Sequence, residues 1–90
     1  EVVPKDGAAV VERQPKVFAT VRDMSSGIWR EEDIAMRIDG QALIVEYDPE
    51  EDLIFAIPRK PLFSGKHQLE VMVRDICGNE SRSRSAFQVK

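Results

Sequence analysis

The chain has 90 residues, of which 42% are hydrophobic and 32% are charged, a composition typical of one small folded domain. Its formal net charge of -3 and its pI of about 5.1 argue against the basic surface of a nucleic-acid-binding protein. No apolar run approaches the roughly 20 residues of a membrane span. The single cysteine, Cys77, excludes an internal disulfide. Because the chain begins at Glu1 without an initiator Met, we expect a piece of a larger or processed protein.

Short runs in which apolar residues alternate with others dominate the sequence, and this period of two is typical of half-buried strands. Residues 1–6, which contain Pro4 and charged neighbours, are predicted as a linker that enters a domain over 7–90. Seven short strands separated by turns predict an all-β sandwich of about seven antiparallel strands. In chain order, the strands are predicted at 8–12, 16–22, 34–39, 42–47, 53–57, 67–74 and 83–89.

Turn residues separate the predicted strands. Asp23 is predicted as a turn residue at the end of the second strand, and the turn residues SSG (25–27), which include Gly27, end that strand's alternating run. Asp39 and Gly40 lie between two alternating runs, a strong hairpin signal because a type I′ turn needs positive φ at both central residues. The segment 48–52 is predicted as a turn, and the five acids of EYDPEED (46–52) are predicted to form a solvated cap that blocks edge pairing rather than a pair of catalytic carboxylates. The segment 58–66, with two prolines and a glycine, is predicted as a crossing loop.

The segment RDICGNE, residues 74–80, raises the question of chemistry most directly. We interpret Asp75, Gly78 and Asn79 as turn residues, since Gly and Asn tolerate positive φ and Asp accepts backbone N–H groups. A calcium loop, with Asp23 brought alongside, is the alternative, but the segment lacks the alternating carboxylates of such loops. Zinc needs more soft ligands than Cys77 and His67 provide.

A cysteine–histidine nucleophile pair is equally disfavoured. His67 begins the strand that leads to Cys77, so strand rise alone places the two roughly 30 Å apart. The sequence contains no phosphate-binding loop, metal-ligand spacing or catalytic triad. We therefore predict a protein that is not an enzyme, with no catalytic, cofactor-binding or metal-binding residues.

Two apolar features suggest contact with a ligand or a partner. Trp29, followed by Arg30, lies in a long loop, where its ring either plugs one end of the sandwich or contacts a sugar or a partner. The parity of the predicted strands also places four apolar residues on an outer face, where they would form a patch that packs against a neighbouring domain. These residues are Phe18, Ile44, Ile54 and Met72.

Several segments together resemble the bacterial immunoglobulin-like, fibronectin-type-III-like modules of exported proteins. About 85 of the 90 residues take part, chiefly in PKDGAAV (4–10), PKVFATVRDMSSGI (15–28), IAMRIDGQAL (34–43), RKPLFSGKHQLEVMVRDICGNE (59–80) and FQV (87–89). The sequence departs from the pattern at Cys77, where such modules commonly have a small residue, and in the charged segment WREED (29–33).

The resemblance implies an immunoglobulin-like β-sandwich in an exported protein, located outside the cell, on its surface or in the periplasm. We expect a non-catalytic accessory module that acts as a spacer or docking domain, with neighbouring domains of the same polypeptide as partners. The alternative is a module that binds glycan or cell-wall polymer through the loop around Trp29. No cofactor, no nucleic acid and no membrane span are expected, and charges near the edge strands favour a monomer.

Overall fold

The protein is described by a computed structural model that covers residues 2–20, 33–48, 50–74 and 77–90. Within these ranges the structure is all-β, and no helix is long and apolar enough to cross a membrane. Two sheets pack face to face. The described ranges contain nine strands: β1 (Val2–Val3), β2 (Ala9–Val10), β3 (Val17–Thr20), β4 (Ile34–Ile38), β5 (Gln41–Ala42), β6 (Glu46–Asp48), β7 (Leu53–Ala56), β8 (Gly65–Arg74) and β9 (Glu80–Val89).

The strand order is β1-β3-β7-β6 in a four-stranded sheet and β2-β9-β8-β4-β5 in a five-stranded sheet. All pairs are antiparallel except β2 with β9, which is parallel. The predicted immunoglobulin-like β-sandwich is confirmed. The predicted strand 42–47 is in fact two short strands, because the chain leaves the five-stranded sheet after β5 and enters the other sheet at β6. Such crossings form the corners of a sandwich.

The N-terminal segment belongs to the sandwich, so the prediction of a linker over 1–6 needs correction. Val2 and Val3 pair with Ala19 and Phe18 of β3. Beyond β1, the buried Ser85 hydroxyl donates a hydrogen bond to the Pro4 carbonyl oxygen. Composition suggested a linker because a two-residue strand is too short to produce a visible alternation.

The core lies between the inner faces of the two sheets. Its buried apolar side chains alternate along β3, β4, β7, β8 and β9, as the period-two pattern predicts. On β7, however, the inward residues are Ile54 and Ala56, while Leu53 and Phe55 face outward and are only partly buried. The predicted apolar patch is therefore wrong: Ile54 is in the core, and Phe18 and Met72 belong to the outer faces of opposite sheets.

The burial of Ile54 can be tested by truncation. Ile54 is 0% exposed, so Ile54→Ala should lower the free energy of unfolding by about 2–5 kcal/mol through lost burial and an added cavity. Ile44, which is 65% exposed, is the matched control, and Ile44→Ala should change stability by less than about 0.5 kcal/mol. Urea denaturation of the two variants makes the measurement. Equal losses in both variants would contradict the described parity of β7.

Candidate functional site

The hairpin between β4 and β5 anchors one end of the sandwich. Ile38 pairs with Gln41, and between them Asp39 (φ 52°) and Gly40 (φ 83°) both have positive φ, as a type I′ turn requires. The turn is also fastened to β8. The Asp39 N–H donates to the Gln68 carbonyl oxygen at 2.9 Å, and the Gln68 N–H donates to Asp39 Oδ1 at 2.9 Å. Asp39 therefore shapes the turn and joins it to the central strand.

The second oxygen of Asp39 meets the only histidine in the chain. His67 lies on the inner face of β8 with 7% of its surface exposed, and its ring stacks on Phe87 at 5.7 Å between centroids. Its Nδ1 is 2.6 Å from Asp39 Oδ2, and its Nε2 is 2.7 Å from the Phe63 carbonyl oxygen. A carbonyl oxygen only accepts, so Nε2–H donates to Phe63, and a protonated Nδ1–H is the form that the facing carboxylate binds. The site therefore suits a doubly protonated imidazolium.

Opposing effects act on the pKa of His67. Burial lowers the pKa because it removes water from the charged ring. The hydrogen bond to the Phe63 carbonyl, followed by the hydrogen bond and the charge of Asp39, outweighs burial and raises the pKa above its ordinary value of 6.5. The net effect is that His67 keeps its proton, and with it the ion pair to Asp39, to a higher pH than an ordinary histidine.

A groove of about 590 Å³ opens beside this pair. One side comes from β4, the turn and β5, and the other from the loop between β7 and β8. Its lining combines apolar side chains with two cations from the loop: Ile38, Ala42, Leu43, Pro58, Pro61, Leu62 and Phe63 with Arg59 and Lys60, and with Gln41, Asp39 and His67. A volume in this range is typical of sites for small molecules.

The loop that carries the cations is held by the segment before β3. The Leu62 N–H donates to the Arg13 carbonyl oxygen at 2.7 Å, and Gln14 Nε2 donates to the Pro58 carbonyl oxygen at 3.0 Å. Pro58 is buried, whereas Phe63 is 84% exposed at the edge of the groove. The groove is thus pre-formed on its backbone and offers an uncovered aromatic ring.

The described residues do not assemble a metal or nucleophile site. No group of three or more His, Cys, Asp or Glu side chains among them is placed to hold a metal ion. Both ring nitrogens of His67 already meet oxygen atoms, so neither offers a lone pair to a metal or acts as a general base. Cys77 is exposed and lies beyond the last residue of β8, whereas His67 is near the first.

Several residues singled out in the sequence lie outside the described ranges. Trp29 and Arg30, the predicted contact residues, are among them, as are the predicted turn residues Asp23, Gly27 and Asp75. Within the segment 75–79 the structure describes residues 77–79, which are exposed: Gly78 has a φ of 86°, and Asn79 immediately precedes β9.

Sequence reasoning missed the groove. It interpreted Asp39 as a turn residue and 58–66 as a connection, and it considered His67 only with Cys77. The missing information was the antiparallel pairing of β4 with β8, in which Ile38 pairs with Leu69. That pairing brings the end of β4 beside the start of β8, and Asp39 with it beside His67.

The sequence matches no protein-family model and no curated protein. Its fold is similar to that of solved structures. CopC from Methylosinus trichosporium OB3b has a TM-score of 0.75 at 13% identity, over 100% of this chain and 89% of that one. PcoC, a copper resistance protein from Escherichia coli, has a TM-score of 0.72 at 16% identity, over 100% of this chain and 96% of that one. At this identity the likeness establishes the fold.

These comparisons correct the predicted role. The prediction of a spacer or docking module of a larger protein is wrong, because this fold makes up nearly the whole of both solved chains. The predicted partners, neighbouring domains and cell-wall glycan, are wrong for the same reason. The sandwich part of the predicted resemblance stands, whereas the narrower likeness to fibronectin-type-III-like modules is not confirmed.

The ion pair predicts how stability depends on pH. Because the pKa of His67 is raised on folding, the pair contributes fully below the unfolded value of about 6.5. That contribution is lost as pH rises through the folded pKa. Asp39→Asn removes the charge but keeps a side chain that tolerates positive φ, so it should lower the pKa of His67 and flatten this loss. NMR titration of the single histidine and denaturation at several pH values make the measurement.

The control for this prediction is Asp48→Asn. The Asp48 carboxylate also accepts backbone N–H groups, from Glu50 at 3.0 Å and Glu51 at 3.3 Å, but lies in the other sheet. This variant should leave the pKa of His67 unchanged. A His67 pKa at or below 6.5 in the unmodified protein would contradict the described pair.

Proposed function

We propose that this chain is a non-catalytic binding protein that works outside the cytoplasm, and that it binds a small apolar carboxylate in the groove beside His67. The proposal rests on one observation: a single groove combines apolar walls with the two cations Arg59 and Lys60. Sites for small molecules combine this kind of apolar lining with a few polar groups that orient the ligand.

The charges in the groove favour an anion. Asp39 is the single acidic residue among the described residues that line it, and its carboxylate is 2.6 Å from His67. A protonated His67 neutralises Asp39, so the charges of Arg59 and Lys60 remain uncompensated within the groove. Arg in particular binds carboxylates in a bidentate manner, and the neighbouring ring of Phe63 offers an apolar contact to the rest of the ligand.

The same geometry supports a binding role without catalysis. Both nitrogens of His67 are engaged, and the described groove residues include no nucleophile beside a base. The location outside the cytoplasm is supported by the sequence resemblance to exported modules. The chain's fold, shared with a copper resistance protein, is compatible with that location.

The test compares two ligands of the same shape. Octanoate and octanamide are titrated against the labelled protein, and amide shifts are followed by NMR. Octanoate should shift residues around the groove and bind about tenfold more tightly than octanamide, since only the carboxylate pairs with Arg59 and Lys60. The double variant Arg59→Gln/Lys60→Gln should abolish this difference. Arg82→Gln/Arg84→Gln removes the same charge from the outer face of the five-stranded sheet, away from the groove, and is the matched control.

Two results would overturn the proposal. One is equal affinity for the acid and the amide, which would mean that the cations take no part. The other is an equal loss in the control variant, which would mean that net charge alone attracts the ligand.

Octanoate affinity should also fall as pH rises through the pKa of His67, because the neutral ring no longer offsets Asp39.

Copper handling is the second candidate, since a protein of the same fold is a copper resistance protein. Copper favours imidazole and sulfur ligands. Among the described residues these are dispersed: His67 is engaged, Met36 is buried in the core, Met72 lies on an outer face, and Cys77 is exposed beyond the end of β8. We therefore expect neither Cu(I) nor Cu(II) to perturb the ring signals of His67. A stoichiometric change in those signals on titration with copper would contradict this expectation and favour the second candidate.

A further inference from the structure

The outer face of the five-stranded sheet carries an excess of basic side chains. Outward positions alternate along β4, β8 and β9, opposite to the buried ones. They carry five basic and two acidic side chains, a formal charge of +3, whereas the whole chain carries -3. The basic members are Arg37, Lys66, Arg74, Arg82 and Arg84, and the acidic ones are Glu70 and Glu80.

The two acids are unevenly placed on this face. Glu80 accepts hydrogen bonds from Arg82 at 2.5 Å and Arg74 at 3.4 Å, and the bond from Arg82 is the main reason that its pKa is lowered. Glu70 is 3.9 Å from Arg84, at the limit of an ion pair. The Glu80 carboxylate is thus shared by two arginines at one end of the sheet. The middle of the sheet keeps an excess of positive charge.

Strand pairing fixes the spacing of the cations. Arg37, Glu70 and Arg84 form one row across β4, β8 and β9, and Ala35, Met72 and Arg82 form the next. Adjacent strands are about 4.8 Å apart and alternate residues along a strand about 6.6 Å apart, so Arg37 and Arg84 start from backbone positions roughly 10 Å apart. These rows surround a depression of about 120 Å³ whose lining includes Ala35 and Met72.

A phosphate polymer fits this arrangement. Its repeated oxyanions suit several guanidinium groups, which bind phosphate with two parallel hydrogen bonds each. Like charges held on one rigid face repel one another, and a polyanion that covers the face relieves this repulsion. Binding is also favoured because counterions are released from the polyanion. A single small anion would engage only part of the two rows.

We infer that the outer face of the five-stranded sheet binds a flexible linear polymer of phosphate groups. The face is separate from the groove, which is lined by the 38–43 segment and the 58–63 loop together with His67. The inference therefore does not depend on the proposed carboxylate ligand. Arg37, Arg82 and Arg84 are the residues that contact the polymer.

The experiment measures binding of fluorescently labelled medium-chain inorganic polyphosphate by anisotropy at several salt concentrations. The double variant Arg37→Gln/Arg84→Gln should bind about tenfold more weakly and with a shallower dependence on salt, because fewer counterions are released. Arg59→Gln/Lys60→Gln has the same net charge but leaves this face intact, so it should bind as the unmodified protein does. Thermal unfolding followed by circular dichroism verifies that both variants fold.

Three outcomes would overturn the inference. Equal losses in the two double variants would show attraction by net charge without a site. An affinity for orthophosphate equal to that for the polymer would show that the rows do not act together. Binding to phosphatidylglycerol vesicles without binding to polyphosphate would identify the face as a membrane-contacting surface instead.

Discussion

The register of strand β8 determines which residues of the five-stranded sheet face the core and which face outward. It is paired along its ten residues with β9 and along half of them with β4, so its alternation is imposed on both neighbours. Leu69, Val71 and Val73 face the core. The outward residues between them belong to the charged rows. A slip of one residue would exchange the two sets and place charges between the sheets, so the register of this single strand is under strong energetic control.

Alternation was enough to predict the architecture, and the reasons for the errors are physical. Long paired strands such as β8 and β9 leave a clear period of two, whereas β1 and β5 have two residues each and leave none. On β7 every residue of the run LIFA is apolar, so the sequence alone does not distinguish its inner face. Hydrogen bonding from β3 on one side and β6 on the other selects Ile54 and Ala56 for the core.

The candidate site was hidden because it is built from partners far apart in sequence. Asp39 and His67 are separated by 28 residues, and their contact follows from the pairing of β4 with β8. The fold itself says little about the ligand. This chain shares its fold with a copper resistance protein at 16% identity, yet its single histidine is occupied by a carboxylate and a carbonyl. A shared fold alone therefore does not identify a ligand.

The attachment of the first residues to the last strand has a consequence for how the protein folds. The Ala86 N–H donates to Asp6 Oδ1 and the Gly7 N–H to the Ala86 carbonyl oxygen, while β2 pairs with Gln88 and Val89. During synthesis, the segment from Asp6 to β2 cannot form its native contacts until residues near 89 have left the ribosome. Closing a loop of some 80 residues is slow compared with local hairpin formation, so folding should be completed late, with the edge of β9 open until then.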